Sequence, residues 1–449
     1  MSDTVVEDPA DPSPERVACS GTLDKQKLPR LLADRSFWGM LLTQFLGAFN
    51  DNLFKQLMLL LAVPTVAGQL DQQSLATIIF ALPFVMGSGY AGYLSDRYSK
   101  RRIVVASKMA EIVVMSLGVA GFLLYQNSGY LGLLWVLFLM GLQSTFFGPG
   151  KYGILPEMLR EKDLPRANGL ILMTTFLAII FGTAVAGILK KHLMEEGQSL
   201  VDGAHHLWVG SAVCVLIAVA GTCTSLLIRR VPPAMPGLRF TASSVTVPNE
   251  VLRLLRRDRQ LLYALLASCV FWLVSGVAIQ AVNSFGLQQL QLGADRTSYL
   301  VAVIGLGIAI GAVVAGRLSH GRADFHVVRL GAWGIVLFLI PLAINVSGRH
   351  LLGFWGSMVL LALLGGAAGF FAIPLQVFIQ SRPPAELKGR VIAVMNQANF
   401  LAILFAGVLY FLFDLIIIRN DWPRSAMFAL MVLLMLPVLL FYHPNDVEP

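Results

Sequence analysis

Charged residues are scarce in this sequence. Only 13% of the 449 residues are Asp, Glu, Lys or Arg, and 56% are hydrophobic, whereas an ordinary soluble domain carries roughly 25% charged residues. Stretches such as 103–125, 207–228 and 426–442 hold little charge and have the length of about 17 to 25 residues that crosses ~30 Å of hydrocarbon as a helix. The composition excludes a soluble globular protein and predicts an all-α membrane protein.

Signatures of enzymes, nucleotide-driven pumps and metal sites are also missing. None of the seven histidines is followed five positions later by Asp, as an acyltransferase of the His-x-x-x-x-Asp type requires, and no Gly-x-x-x-x-Gly-Lys-Ser/Thr element is present. The four cysteines, Cys19, Cys214, Cys223 and Cys269, are not closely paired, so we interpret them as small hydrophobic residues. The sequence predicts no catalytic residue, no cofactor and no metal.

The apolar stretches predict twelve transmembrane helices. Their predicted positions are 37–63, 74–94, 103–125, 129–149, 168–189, 207–228, 261–290, 298–318, 327–346, 351–375, 390–418 and 424–442. Residues 1–35 are polar and predict a disordered cytoplasmic tail rather than a signal peptide. The remaining divisions are a six-helix bundle at 36–228, a cytoplasmic linker at 229–260, a second bundle at 261–442 and a short tail at 443–449.

Lys and Arg residues predict the orientation of these helices. If the N-terminus is cytoplasmic, the cytoplasmic segments hold 26 of the 34 basic residues and the outer loops hold six, as expected from the enrichment of Lys and Arg in cytoplasmic loops. Both termini are then cytoplasmic. The basic residues are dispersed over six segments, which argues against a nucleic-acid partner.

The two halves of the chain repeat each other at one constant offset in residue number. Phe146-Phe147 falls on Phe370-Phe371, Arg166 falls on Arg390, and the segment 176–181 falls on 400–405. Such a repeat predicts two pseudo-symmetric six-helix bundles that rock about a central site. The offset does not resolve spans 1 and 7.

The loop between spans 2 and 3 carries a basic motif, Gly-Tyr-Leu-Ser-Asp-Arg-Tyr-Ser-Lys-Arg-Arg, at residues 92–102. It resembles the signature loop of the major facilitator superfamily, whose fold the resemblance implies, although its second copy has lost the Asp-Arg pair. We expect the loop to act as a cytoplasmic gate contact, with the acid and base after span 4 as partners of its arginines. The predicted gating residues are Asp96, Arg97, Arg101, Arg102, Glu157 and Arg160.

Span 1 places polar residues in the middle of an apolar helix. Asn50, Asp51 and Asn52 are consecutive, and Lys55 lies four residues after Asp51. Polar groups at such depth usually face a cavity or a partner helix. The spacing also permits an ion pair between Asp51 and Lys55 on one helix face, which would rigidify the bundle without binding a ligand.

Further polar residues stand near or within apolar spans. Lys151 lies among glycines and Pro149 at the end of span 4, where we expect a broken helix with free backbone groups, and it suits either an anionic phosphate or a snorkelling anchor. Gln280 and Asn283 lie in span 7, and we expect them to bind the substrate. Asn396 and Asn399 lie in span 11, where they either line the cavity and bind it or tie helices together. Lys108 and Glu111 in span 3 are spaced for a structural ion pair, and we expect Asp414 to be solvated.

Three elements in residues 43–170 resemble the bacterial lysophospholipid transporters: Gly-Ala-Phe-Asn-Asp-Asn, Pro-x-Lys-Tyr-Gly-Ile-Leu-x-Glu and Ala-Asn-Gly-Leu. The resemblance implies movement of lysophosphatidylethanolamine and similar lipids from the outer to the inner leaflet of the bacterial cytoplasmic membrane, with a lysophospholipid acyltransferase as a possible partner. It also implies functional charges at Asp51 and Lys151. Where some members carry Arg in span 7, this chain has Gln280.

Two alternatives remain open at the level of sequence. One is a proton-coupled exporter of amphiphilic drugs or small solutes, with Asp51 as the proton carrier. The other is a non-transporting sensor or assembly partner of the acyltransferase.

Overall fold

Long helices account for most of the structure. The computed structural model describes residues 28–64, 68–194, 203–240, 247–318, 324–346, 349–384 and 387–442. Within them the long helices are α1 Arg35–Ala62, α2 Gln73–Arg97, α3 Lys100–Leu123, α4 Tyr125–Gly153, α5 Leu164–Leu193, α6 Trp208–Ser225, α7 Arg259–Ser284, α8 Ala294–Leu318, α9 Phe325–Ala343, α10 Gly353–Ser381, α11 Lys388–Arg419 and α12 Ala426–Phe441.

Ten of these helices are long and apolar enough to cross a membrane. The other two are α1, which carries Asn50-Asp51-Asn52 and Lys55, and α12, which is shorter than the rest. The all-helical prediction is therefore confirmed at this level. Several helices extend beyond their predicted ends, because the chain stays helical past the apolar core of each span.

Shorter elements connect the long helices. A 3-10 turn, Leu31–Ala33, precedes α1, and a short helix, Asn249–Arg257, lies in the linker. Span 9 was predicted to continue to residue 346, but α9 ends at Ala343 and two short strands, β1 Asn345–Val346 and β2 Arg349–His350, pair antiparallel. Residues 1–27 and 443–449, which contain most of the predicted tails, lie outside the described residues.

The internal repeat also includes α1 and α7, contrary to our expectation for spans 1 and 7. The two helices begin at Arg35 and Arg259, which are related by the same offset as Arg166 and Arg390. Each is capped by an aspartate, since Asp34 accepts from the backbone of Ser36 and Asp258 accepts from that of Leu261. A cap carboxylate satisfies N–H groups that have no partner within the helix. The repeat therefore sets where these helices start.

Helix contacts separate the structure into two sets. Helices α1 to α6 pack mainly on one another, and α7 to α12 do the same. The main contacts between the sets are α2 with α11 and α5 with α8. These pairs are equivalent under the sequence repeat, so the two sets meet along two symmetry-related seams.

Glycines bring α8 and α10 into backbone contact. A Cβ on Gly307 or Gly311 would lie 2.1 Å from Ala362 O or 2.2 Å from Gly366 O, and one on Gly365 would lie 2.2 Å from Ile304 O. Gly307 and Gly311 on α8 are four residues apart, as are Gly365 and Gly369 on α10, which is the small-residue pattern of close helix crossings in membranes. Any side chain at these glycine positions would force α8 and α10 apart.

We predict that Gly365→Ala lowers the thermal stability of the purified protein by several degrees, since overpacking a tight contact costs about 1–3 kcal/mol. Thermal unfolding followed by size-exclusion chromatography measures the effect. Gly316→Ala is the matched control, because Gly316 lies on α8 and nothing lies within 4 Å of its Cβ position. Equal stability of the two variants would contradict the close packing.

Candidate functional site

A cavity lies where the two sets of helices meet. It contains about 910 Å³ of space free of protein atoms, part of which is open to the surroundings. Its polar wall comes from Asn52, Lys55 and Gln56 of α1, with Thr183 of α5 and Ser275 of α7. The rest of the wall is almost wholly apolar and comes from α5, α7, α8, α9, α10 and α12, including Phe271, Ile304, Leu364, Met431 and Met435. The cavity is thus polar at one side and hydrocarbon-like over the remainder.

Asp51 lies one residue before this polar wall. Its Oδ2 accepts a hydrogen bond from Ser144 of α4 at 2.7 Å, while its Oδ1 is buried with no hydrogen-bond partner among the described residues. Gln143 in turn donates to Ser144 Oγ at 2.8 Å. A buried carboxylate oxygen without a donor is costly, so a hydrogen-bond donor brought to this oxygen would be stabilising.

The Lys55 ammonium does not pair with Asp51. Its Nζ lies 5.1 Å from the centre of the Phe80 ring, and it forms no ion pair within the described part of the chain. The intrahelical pair that the spacing permits is therefore not formed. The two charges interact through space, and each is left with capacity for a charged ligand.

Behind Asp51, a second layer of charge is internally neutral. Lys108 and Glu111 of α3 form an ion pair in which both side chains are almost fully buried, as predicted. Asn50 donates to Glu111 Oε1 at 2.7 Å. The Lys108 ammonium occupies the space beside Gly47, where a Cβ would lie 2.2 Å from Nζ. This layer fixes α1 against α3 and leaves Asp51 and Lys55 as the charges nearest the cavity.

The polar residues of span 7 lie at the predicted outer end of the cavity. Asn283 accepts from Gln56 at 2.8 Å and donates to Gln73 at 2.8 Å, and Gln280 donates to its own helix at Gly276 O. The side chains of Asn283 and Gln280 are fully buried. These residues join the two halves of the molecule and do not line the cavity. Gln56, which we did not predict from the sequence, connects Asn283 to the cavity wall.

The other predicted binding residues divide between the cavity wall and positions away from it. Asn52 lines it but donates to Ala48 O, whereas Asn399 accepts from Ser268 at 3.1 Å and Asn396 is exposed. Lys151 is buried in the last turn of α4, which continues through Pro149 to Gly153 instead of breaking at the glycines as expected. A proline is tolerated inside a membrane helix because neighbouring groups bond to the backbone atoms that it leaves without a partner.

The predicted gating residues lie at the other end, within the first half. Glu157 pairs with Lys100, and not with an arginine as expected, while Arg160 pairs with Asp163 at 2.7 Å. Arg97 packs on Tyr93 and Tyr98.

The remaining members of the basic motif bond to backbone. Arg101 donates to Leu226 O at 3.0 Å, and the carbonyl of Asp96 accepts from Met235 of the linker at 2.8 Å. Arg102 is exposed. Among pairs of described residues, the ion pairs at this end lie within one half or between a half and the linker, and none joins the two bundles directly.

The predicted outer end, in contrast, is joined across the halves by many bonds. They include Gln73 with Ser284 at 3.0 Å, the backbone of Asp71 with Asp414 at 3.0 Å, and Lys191 with Asp295 at 2.9 Å. Asp414 was expected to be solvated, but it is fully buried and pairs with Arg424. The cavity is therefore sealed at this end.

The sequence matches curated relatives over most of their length. The chain is 27% identical over 389 residues to lysophospholipid transporter LplT of Serratia proteamaculans (strain 568). The matched region covers 84% of this chain and 88% of that protein. The chain is 26% identical over 390 residues to LplT of Yersinia pestis (strain Pestoides F), with 84% and 87% covered. The resemblance found in the sequence motifs is confirmed.

Solved structures of transporters match the fold. A POT family transporter in complex with 5-aminolevulinic acid has a TM-score of 0.66 at 12% identity, covering 93% of this chain and 98% of that one. The nucleoside transporter NupG has a TM-score of 0.64 at 11% identity, with 89% and 98% covered. The family model of the Major Facilitator Superfamily matches residues 36–407. The chain belongs to the major facilitator superfamily and is, by family and fold, a membrane transporter rather than an enzyme.

Proposed function

We propose that this transporter moves lysophospholipids such as lysophosphatidylethanolamine from the outer to the inner leaflet of a bacterial cytoplasmic membrane. In this proposal all twelve long helices cross the membrane as two six-helix bundles, α1–α6 and α7–α12, with both termini cytoplasmic. The names of the relatives support the substrate class. The distribution of basic residues supports the orientation.

The observation that carries this proposal is the unpaired state of Asp51 and Lys55 beside an apolar cavity. A lysophosphatidylethanolamine headgroup has an ammonium and a phosphate a few bonds apart. Asp51 Oδ1, which has no partner among the described residues, matches the ammonium, and Lys55, which faces the cavity, matches the phosphate. Charge-assisted bonds of this kind are stronger than neutral ones.

The apolar part of the cavity fits a single acyl chain. Aliphatic residues and the two methionines of α12 form its wall in the second half of the molecule. Methionine adapts to flexible hydrocarbon, and burial of each CH₂ group contributes about 0.8 kcal/mol. A headgroup bound at α1 would point its chain across the boundary between the halves into this wall.

The sealed outer end supports alternating access. In this state the cavity is closed where Asp71, Gln73 and Asn283 join the halves, and the ion pairs at the cytoplasmic end do not cross between them. We infer an inward-facing state, and we assign the basic motif at 92–102 to cytoplasmic closure in the opposite state. Lys151, buried at the cytoplasmic end of α4, would then contact the phosphate late in transport. An acyltransferase that consumes the delivered lipid is the proposed partner.

Asp51→Asn is expected to reduce uptake of lysophosphatidylethanolamine about 10- to 100-fold, because it removes a charge-assisted bond of about 1.5–3 kcal/mol. It should reduce uptake of lysophosphatidylglycerol, which has no ammonium, far less. Uptake of labelled lipid into spheroplasts lacking their own transporter measures both. Asp421→Asn is the control, since Asp421 is exposed at a positive φ that Asn tolerates. Equal losses for the two lipids would refute the ammonium contact.

Lys55→Gln is expected to weaken binding of both lipids, because both carry the phosphate. Binding to purified protein in detergent is the readout, and Lys162→Gln, at an exposed lysine, is its control. Unchanged binding in Lys55→Gln would remove Lys55 from the site.

Lys151→Ala should leave lipid binding intact and slow lipid uptake, because we assign Lys151 to a late step of transport.

Facilitated lipid movement should continue when an uncoupler collapses the proton gradient. Lysophosphatidylethanolamine uptake with and without uncoupler is the measurement, because the runner-up function, a proton-coupled exporter with Asp51 as its proton carrier, would stop. Uptake by purified protein in liposomes excludes a sensor without transport activity.

A further inference from the structure

The outer end contains a buried carboxylate, Asp71, to which the transport mechanism above gives no role in binding the substrate. Asp71 follows α1 and is only 2% exposed. Its Oδ1 accepts from the backbone of Gln73 at 2.9 Å, and its Oδ2 accepts from Gln73 Nε2 at 2.9 Å, from Tyr410 OH at 2.8 Å and from Ser284 Oγ. Every donor is neutral, and Asp71 forms no ion pair with a described residue.

The number of hydrogens available around Asp71 depends on whether its carboxyl group is protonated. Asp71 Oδ2, Ser284 Oγ and Tyr410 OH form a triangle, whose third side, from Ser284 to Tyr410, is 2.6 Å. With Asp71 ionised, two hydroxyl hydrogens serve three oxygen–oxygen contacts. With one more proton on Asp71, each contact has its own hydrogen. The geometry fits a neutral Asp71 in the closed state.

The carboxylate at the symmetry-related position, Asp295, is paired with a cation. Asp295 at the start of α8 is the equivalent of Asp71 under the sequence repeat and also bridges the halves, but it pairs with Lys191 of α5 at 2.9 Å. One seam is thus closed by an ion pair and the other by a carboxylate without a cation. An ion pair persists over a wide pH range, whereas a carboxylate held by neutral donors depends on its proton.

Asp71 is also connected to the cavity. Gln73 accepts from Asn283 at 2.8 Å, and Asn283 accepts from Gln56 at 2.8 Å. Gln56 lines the cavity next to Lys55. Three buried amides therefore connect Asp71 to the wall of the cavity.

We propose that Asp71 is a proton-binding site and that the proton it holds keeps the outer gate of this transporter closed. The inference goes beyond lysophospholipid transport, and it rests only on the orientation proposed above. When Asp71 loses its proton, a charge without a counter-ion is left in a buried interface, and opening the gate to water relieves it.

The surrounding groups support this reading. Asp414 and Tyr410 face Asp71 from α11, Tyr130 of α4 is near enough to interact with its charge, and α2 and α7 contribute only the neutral Gln73 and Ser284. Arg424 is engaged by Asp414. Burial raises the pKa of Asp71, and opening would return the pKa toward its ordinary value. The closed state thus binds the proton more tightly, so closure is favoured below the raised pKa and is lost as pH rises through it.

The test measures opening directly and needs no lipid. In a cysteine-free background, Val301→Cys places a thiol on the buried cavity wall, where an impermeant maleimide added outside reaches it only when the outer gate opens. Relative to Asp71→Asn, which is neutral at every pH, the labelling rate of the protein with native Asp71 should rise at least about tenfold between about pH 5 and pH 8. The ratio cancels the pH dependence of the thiol itself.

Two control variants make the result specific. Asp295→Asn removes the ion pair of the other seam and should raise labelling at all pH values without removing the pH response. His350→Gln removes a titratable ring that packs on Phe285 and should leave the response intact. Identical pH profiles for native Asp71 and Asp71→Asn, high labelling of Asp71→Asn at every pH, or loss of the response in His350→Gln would each overturn the proposal.

Discussion

The cost of a buried charge without a partner governs this structure. Inside the helix bundle water cannot stabilise an ion, so each charge either finds a counter-ion or remains a place where a ligand is favoured. Lys108 and Glu111 take the first course, and so do Asp414 and Arg424. Asp51 and Lys55 do not, although they are four residues apart on one helix. That difference separates the supporting framework from the site.

The two halves share a backbone plan and differ in chemistry. Both begin with an aspartate-capped helix, and both seams between them join equivalent helices. The charged pair of α1 has no counterpart in α7, where the equivalent positions are Ser275 and Ile279. One half therefore presents charge to the cavity and the other presents hydrocarbon, which suits a substrate that is itself divided in this way.

The sequence predicted the helices and the polar interruption of α1 because both depend on local composition. It could not predict which polar residues meet. Asn283 and Gln280 looked like cavity residues, but Asn283 donates to Gln73, and the Gln280 side chain donates to the backbone of its own helix. Asp414 looked solvated because it is near a helix end, yet Arg424, ten residues later, folds back over it. Asp71 gave only the weak signal of an acid among polar loop residues. Contacts between distant segments decide these cases, and periodicity does not report them.

The glycine seam between α8 and α10 restricts how the cavity can change shape. The backbones of α8 and α10 are in contact at Gly307, Gly311 and Gly365. We therefore expect these two helices to move together as one rigid unit. Both contribute to the cavity wall, so that wall is rigid. The other helices of the apolar wall, α5, α7, α9 and α12, lie outside this contact, so a change in the width of the cavity depends on them.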